Sequence, residues 1–234
     1  TSPLPECETP EKTEAFDICF RDVSFRYEGA ENDAVSHIDL DIPQGKTVAL
    51  VGASGSGKTT IARLIPRFWD VREGSLKIGG VDVRHMDKAV LMRNVSFVFQ
   101  NTRLFKTSIL ENIRYGNPDA TIEQVNRAVD LSQSREIIER LPQGLNTVIG
   151  AEGTYLSGGE QQRIVLARAI LKDAPIVVLD EATAFADPEN EHKIQQAFST
   201  LIRNKTVLVI AHRLSSITTA NQIIVFNKGE INAI

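Results

Sequence analysis

Apolar and polar positions alternate from Phe16 to Tyr27 (Ile18, Phe20, Val23, Phe25), which predicts an antiparallel strand, with Ala34 to Ile42 as its partner across a turn containing Gly29. Three other runs are apolar almost throughout: Thr47 to Val51, Ile176 to Leu179 and Val207 to Ile210. Short, β-branched runs of this kind predict parallel strands buried on both faces. Ser75 to Val83 reads as two short strands about Gly79-Gly80, Val95 to Phe99 as another strand ending at Gln100, and Ile223 to Phe226 with Glu230 to Ile234 as a hairpin around Asn227-Lys228-Gly229. Helical composition follows the first apolar run, from Thr59 to Ile65. It returns over 107 to 141, with Ser108, Thr121 and Ser134 as N-caps and Pro142-Gln143-Gly144 as the terminator. The pattern predicts an α/β fold with a mostly parallel sheet, an antiparallel β subdomain and an inserted helical lobe over about 101–172.

The first apolar run leads into Gly52-Ala53-Ser54-Gly55-Ser56-Gly57-Lys58-Thr59-Thr60, the P-loop pattern G-x-x-x-x-G-K-[ST] between a strand and a helix. Glycines let the backbone curl so that successive N–H groups point inward, and the helix start adds the positive end of its dipole, which makes a cradle for phosphate. Lys58 is then the partner of the β- and γ-phosphates and Thr59 a ligand of Mg²⁺. The alternative is a plain Gly/Ser turn. Tyr27, at the end of the first strand, reads either as a half-buried strand aromatic or as a face on which a base stacks.

A second glycine pair stands in Leu156-Ser157-Gly158-Gly159-Glu160, ahead of an amphipathic run from Ile164 to Leu171. Ser157 and Glu160 form a capping box, and the same helix start offers a second anion site. Asp180-Glu181 closes a buried strand at the end where open α/β sheets place ligands. Adjacent strand residues point to opposite sides, so one carboxylate can face Mg²⁺ while the other faces a water. His212 follows another such strand and reads as a capping side chain or as a site residue.

A net charge of −4 supplies no basic footprint for nucleic acid. Cys7 and Cys19 are the only cysteines, with no C-x-x-C spacing, which fits a reducing compartment. No apolar run approaches the roughly twenty residues that span a bilayer. Residues 1–15, with Pro3, Pro5 and Pro10, read as a linker or tail, and the start at Thr1 reads as that of a piece excised from a longer polypeptide.

With G-A-S-G-S-G-K-T, L-S-G-G-E, I-V-V-L-D-E-A-T and A-H-R in this order, residues 16–234 resemble the nucleotide-binding domain of ABC transporters, a P-loop NTPase core. F-V-F-Q-N-T-R-L-F and E-N-I-R-Y-G are similar to the exporter-type subgroup, in which this domain follows membrane helices on the same polypeptide. The resemblance implies ATP and Mg²⁺ as ligands and a place at the cytoplasmic face of the inner membrane. It implies two copies, identical or homologous, closed head-to-tail and partnered by a transmembrane domain.

It also implies roles. Tyr27 stacks on adenine; Gly52, Ala53, Ser54, Gly55, Ser56, Gly57, Lys58, Thr59 and Thr60 hold the phosphates and Mg²⁺; Gln100 touches metal and attacking water. Asp180 supports Mg²⁺, Glu181 is the general base, and His212 holds the γ-phosphate. Ser157, Gly158 and Gly159 face the ATP of the other copy. A soluble ABC ATPase without a membrane partner is the competing expectation.

Departures from the commonest wording are Glu160 where Gln is frequent, Gly150-Ala151-Glu152-Gly153 where Gly-Glu-x-Gly is common, and Ala184-Phe185-Ala186-Asp187 where Ser-Ala-Leu-Asp is usual. The wording A-T-A-F-A-D-P-E-N-E around it is similar to exporter-fold transporters that handle iron–siderophore complexes, some of which import.

Overall fold

The contrast between alternating and continuous apolar runs becomes a contrast between two sheets. A computed structural model describes residues 4–99, 104–150, 155–180, 188–211 and 220–234. They fall into two compact units: the described residues of Thr1–Phe97, Pro175–Glu181 and Asn204–Ile234 in one, those of Val98–Ala174 and Ala182–Arg203 in the other.

In the first unit, β1 (Ile18–Phe25) pairs antiparallel with β2 (Val35–Ile42) and with β4 (Glu73–Ile78), which turns back into β5 (Val81–Asp82). Along β2 buried Val35, Ile38, Leu40 and Ile42 are interleaved with exposed His37, Asp39 and Asp41, as one solvated face requires. The other sheet runs β10-β9-β3-β8-β7-β6. Its members are β3 (Thr47–Gly52), β6 (Val95–Val98), β7 (Ile176–Asp180), β8 (Thr206–Ile210), β9 (Gln222–Asn227) and β10 (Glu230–Ala233). β9, β3, β8 and β7 are parallel, and every residue of β7 and β8 is buried. One core joins both sheets: Phe20 and Val23 of β1 belong to the same cluster as Leu50, Ile210 and Ile224, together with Ile61 and Leu64 of α1 (Lys58–Leu64).

The second unit is helical: α3 (Ile109–Arg114), α4 (Ile122–Leu131), α5 (Arg135–Arg140), α6 (Gly158–Lys172) and α7 (Pro188–Leu201). Ile109, Ile113, Val125, Val129, Ile137 and Ile164 form its apolar core. Buried Asn112 fastens it further, accepting from Arg168 Nη2 at 3.0 Å and donating to the Phe105 and Ser108 carbonyls.

Ser108 and Thr121 cap α3 and α4 through their hydroxyls, the latter as a full capping box with Gln124. Ser134 precedes α5 but does not cap it with its side chain; its buried hydroxyl pairs with that of Ser132 at 2.8 Å instead. Among the described residues, α7 and, in the first unit, α2 (Lys88–Asn94), capped by Asp87, go beyond the predicted pattern. Residues 4–15 belong to the first unit, where the Pro5 carbonyl accepts from Arg67 Nη2 at 2.9 Å and Thr13 Oγ1 donates to the Gly79 carbonyl at 3.1 Å.

Candidate functional site

The turn after β3 is shaped by what its glycines exclude. A Cβ on Gly52 would overlap the Phe226 carbonyl oxygen of β9. At Gly57 the backbone is left-handed (φ 103°), and a Cβ would meet Val35 Cγ1 at 2.7 Å and the Ala34 carbonyl at 2.8 Å. Ser56 N–H donates to the Ala53 carbonyl and Gly229 N–H to the Ser56 carbonyl, which pins the loop to the β9–β10 turn. Gly52 to Gly55 stay exposed, while Ser56, Lys58 and Thr60 are buried beneath them.

Lys58 is 4% exposed and donates from Nζ to the Gly52 carbonyl at 2.9 Å, the Ala53 carbonyl at 2.8 Å and Ser56 Oγ at 3.2 Å. All three acceptors are neutral. Burial pushes the Lys58 ammonium below its ordinary pKa, and the charge of Asp180 opposes that shift. A cation buried within a glycine turn, at the start of a helix, is chemically suited to a phosphate, which would exchange neutral acceptors for charged ones.

A cavity of about 220 Å³ opens here between the loop, from Gly55 to Thr60, and Tyr27 with Ala34. Tyr27 stands just past β1, half-buried, its ring edge-on to Phe25 at 4.9 Å and to Trp69 at 5.2 Å, and its hydroxyl 3.0 Å from Thr60 Oγ1. It is thus both a packed aromatic and a wall of the cavity. Trp69, the sole tryptophan, carried no motif to mark it; only its place shortly after α1 hinted at a role.

Register brings the carboxyl ends of three strands into one row. Leu50 of β3 pairs with Ile210 of β8, and Ile210 pairs with Asp180 of β7. Asp180 therefore lies two strands from the loop, about 10 Å at the usual spacing, on its level. Gln100, Glu181 and His212 lie outside the described residues, as do Glu152 and Ala184 to Asp187.

The second glycine pair opens α6 in the helical unit. Ser157 Oγ accepts from Glu160 N–H at 3.3 Å and Glu160 Oε2 accepts from Ser157 N–H at 2.8 Å, the capping box the spacing predicted. Behind it Arg163, 2% exposed, donates to the Gln133 carbonyl at 2.6 Å, Glu136 Oε1 at 2.9 Å and Asn190 Oδ1 at 3.0 Å, joining α6 to α5 and α7. Lys193 holds the same Glu136 at 2.7 Å, and the two cations keep that carboxyl below its ordinary range, Lys193 contributing most. These partners stand 27 and 30 residues from Arg163, so no local pattern marks them.

Residues 35–184 match the ABC transporter family. The ATP-dependent lipid A-core flippase of Vibrio cholerae serotype O1 is 51% identical over 216 residues, which cover 92% of this chain and 37% of the flippase. The flippase of the same name from Thiobacillus denitrificans is 47% identical over 215 residues. A bacterial Atm1-family ABC exporter solved with ATP bound superposes with a TM-score of 0.90 at 34% identity, over 98% of this chain and 40% of the exporter. The chain thus spans well under half the length of these relatives. Their names give the expected iron–siderophore branch no support. Among the described residues no helix is long and apolar enough to cross a membrane. The chain belongs to the ABC transporter family, and the part of that family it carries is the ATP-binding ATPase domain.

Proposed function

We propose that this domain binds Mg-ATP in the turn after β3, hydrolyses it between two copies closed head-to-tail, and so powers a transmembrane exporter from the cytoplasmic face of the membrane. The observation that carries the reading is Lys58, a buried cation whose acceptors among the described residues are all neutral, in an open glycine turn.

In this reading Lys58 and the loop N–H groups from Gly52 to Thr60 hold the phosphates, and Tyr27 stacks on the base. Thr59, Asp180 and Gln100 are the residues that would hold Mg²⁺, which neutralises charge on the phosphates. Glu181 accepts the proton of the attacking water and His212 orients the γ-phosphate. Ser157, Gly158 and Gly159 of the second copy complete the site. Closure is favoured because one phosphate is gripped from both sides, and cleavage removes that shared anchor.

The test compares the chain with Glu181→Gln. Specific ATPase activity of the unaltered chain should rise with protein concentration, because one copy supplies half of each site. Glu181→Gln should lose turnover by at least about a hundredfold, retain ATP and scatter light as a dimer. Full specific activity at any dilution, or turnover by Glu181→Gln, would refute the reading.

A further inference from the structure

The start of α6 already holds a carboxylate, which the helix end attracts but which would repel an incoming phosphate. Glu160 is the third residue of α6 and its side chain is 12% exposed. Its part in the capping box needs one oxygen accepting from Ser157 N–H, which a glutamine amide oxygen would do as well. The full negative charge is therefore surplus to the cap. It sits beside Gly158 and Gly159, whose N–H groups are among the donors a helix start leaves for an outside partner. Unbalanced, it would offset the positive end of the helix dipole and oppose any phosphate approaching those donors.

The other carboxylate oxygen, Oε1, accepts from Arg140 Nη2. Arg140 ends α5, 20 residues earlier, and its side chain is 61% exposed. The guanidinium keeps most of its hydration while the carboxylate it meets is largely withdrawn from water. Burial by itself would push the Glu160 carboxyl up; hydrogen bonds from Ser157 and Arg140 outweigh it and hold the group below its ordinary value, so it is ionised.

We propose that Arg140 is a positioning residue: by pairing with Glu160 Oε1 it cancels the carboxylate's charge, so that the start of α6 can receive a phosphate of the ATP held by a second copy. This rests on the two-copy reading above. Beyond the pair the field is that of a dipole rather than a charge, and Gly158 and Gly159 face the incoming phosphate much as they would beside a glutamine.

Four chains test it: unaltered, Arg140→Ala, Arg140→Lys, and Arg140→Ala with Glu160→Gln. Each is titrated with Mg²⁺ and the non-hydrolysable analogue AMP-PNP, reading dimerisation by light scattering at low and at high salt. Arg140→Ala should raise the nucleotide concentration for half-maximal dimerisation about tenfold, because removing one partner leaves the other charge uncompensated. The shift should shrink at high salt. Arg140→Lys should stay within about threefold. Adding Glu160→Gln to Arg140→Ala should restore the unaltered value to within about twofold, since it removes the charge that needed cancelling. A dimer indifferent to Arg140→Ala, or one that Glu160→Gln does not rescue, overturns the inference and leaves the two-copy reading standing. No dimerisation of the unaltered chain at saturating AMP-PNP overturns both.

Discussion

The turn after β3 and the start of α6 each place a glycine-bearing segment at the head of a helix, but they are held by different means. The first keeps its shape through backbone packing: Gly52 and Gly57 have no room for a Cβ, and the loop is tied to the β9–β10 turn by main-chain bonds. The second keeps its shape through side chains, with Ser157 and Glu160 in a reciprocal cap and Arg163, Glu136, Asn190 and Lys193 bracing the helices behind it. A cradle made of backbone is intolerant of added atoms and indifferent to salt. A cradle made of paired side chains tolerates changes of shape and responds to charge.

The comparison is tested hardest at Gly57. Gly57→Ala forces a left-handed residue and two overlaps below 3 Å, with Val35 and Ala34, into the wall of the first unit. The expected loss is about 3 kcal/mol of stability, from overpacking and backbone strain together. ATP affinity should fall with it. Chemical denaturation read through Trp69 would show it, and a midpoint unchanged within error would mean the turn is more plastic than its packing indicates.

Arg163→Met makes the corresponding cut in the helical unit. It keeps the apolar stem but leaves the Gln133 carbonyl and Asn190 Oδ1 without the bonds they receive from Arg163, while Glu136 keeps Lys193. The expected cost is roughly 2 kcal/mol, less than for Gly57→Ala because Glu136 is half exposed and still paired. Hydrogen exchange should speed up in α5 and α7 and stay unchanged in β3 and β8. Equal loosening of both units would show that they do not respond separately.

How much of this was legible follows from the same contrast. β3, β7 and β8 are buried on both faces, so their sequences had to be continuous apolar runs, and β2 faces water on one side, so it had to alternate. The Ser157–Glu160 capping box was legible because both members lie within one turn, whereas at Thr121 only the cap was read and not its box with Gln124. α7 buries Ile194, Ala197, Phe198 and Leu201 at helical spacing behind Pro188, a pattern present but unread beside the motif that precedes it. α2 buries Leu91 alone, too little periodicity to announce a helix. Ser134 read as a cap because serine before a helix usually is one, but Ser132 competes for its hydroxyl. Arg163 and Arg140 could not be paired from sequence, since nothing local relates residues on different helices.

Ser157→Ala sharpens the second half of the comparison. The hydroxyl that accepts from Glu160 N–H is lost, whereas the bond from Ser157 N–H to Glu160 Oε2 belongs to the backbone and remains. About 1 kcal/mol or somewhat less should be lost, as for other N-cap deletions. Thermal denaturation of Ser157→Ala should show a small drop that leaves Gly57→Ala far the more damaged; a larger loss than Gly57→Ala would reverse the ranking of the two cradles.

The smallest expected effect separates the two readings of Tyr27. Tyr27→Phe keeps the ring, its edge contacts to Phe25 and Trp69 and its wall of the cavity, and removes only the hydroxyl 3.0 Å from Thr60 Oγ1. Thr60 is buried, so losing that bond should cost on the order of 0.5–1 kcal/mol of stability. ATP affinity should change by less than about twofold, because stacking uses the ring face and not the oxygen. Tyr27→Ala removes the face as well and should weaken ATP by about tenfold, measured by equilibrium titration. If Tyr27→Phe alone weakened ATP tenfold, the hydroxyl and its hold on Thr60 would be what shapes the site, and Tyr27 would act on the phosphate turn from the β1 side rather than on the base.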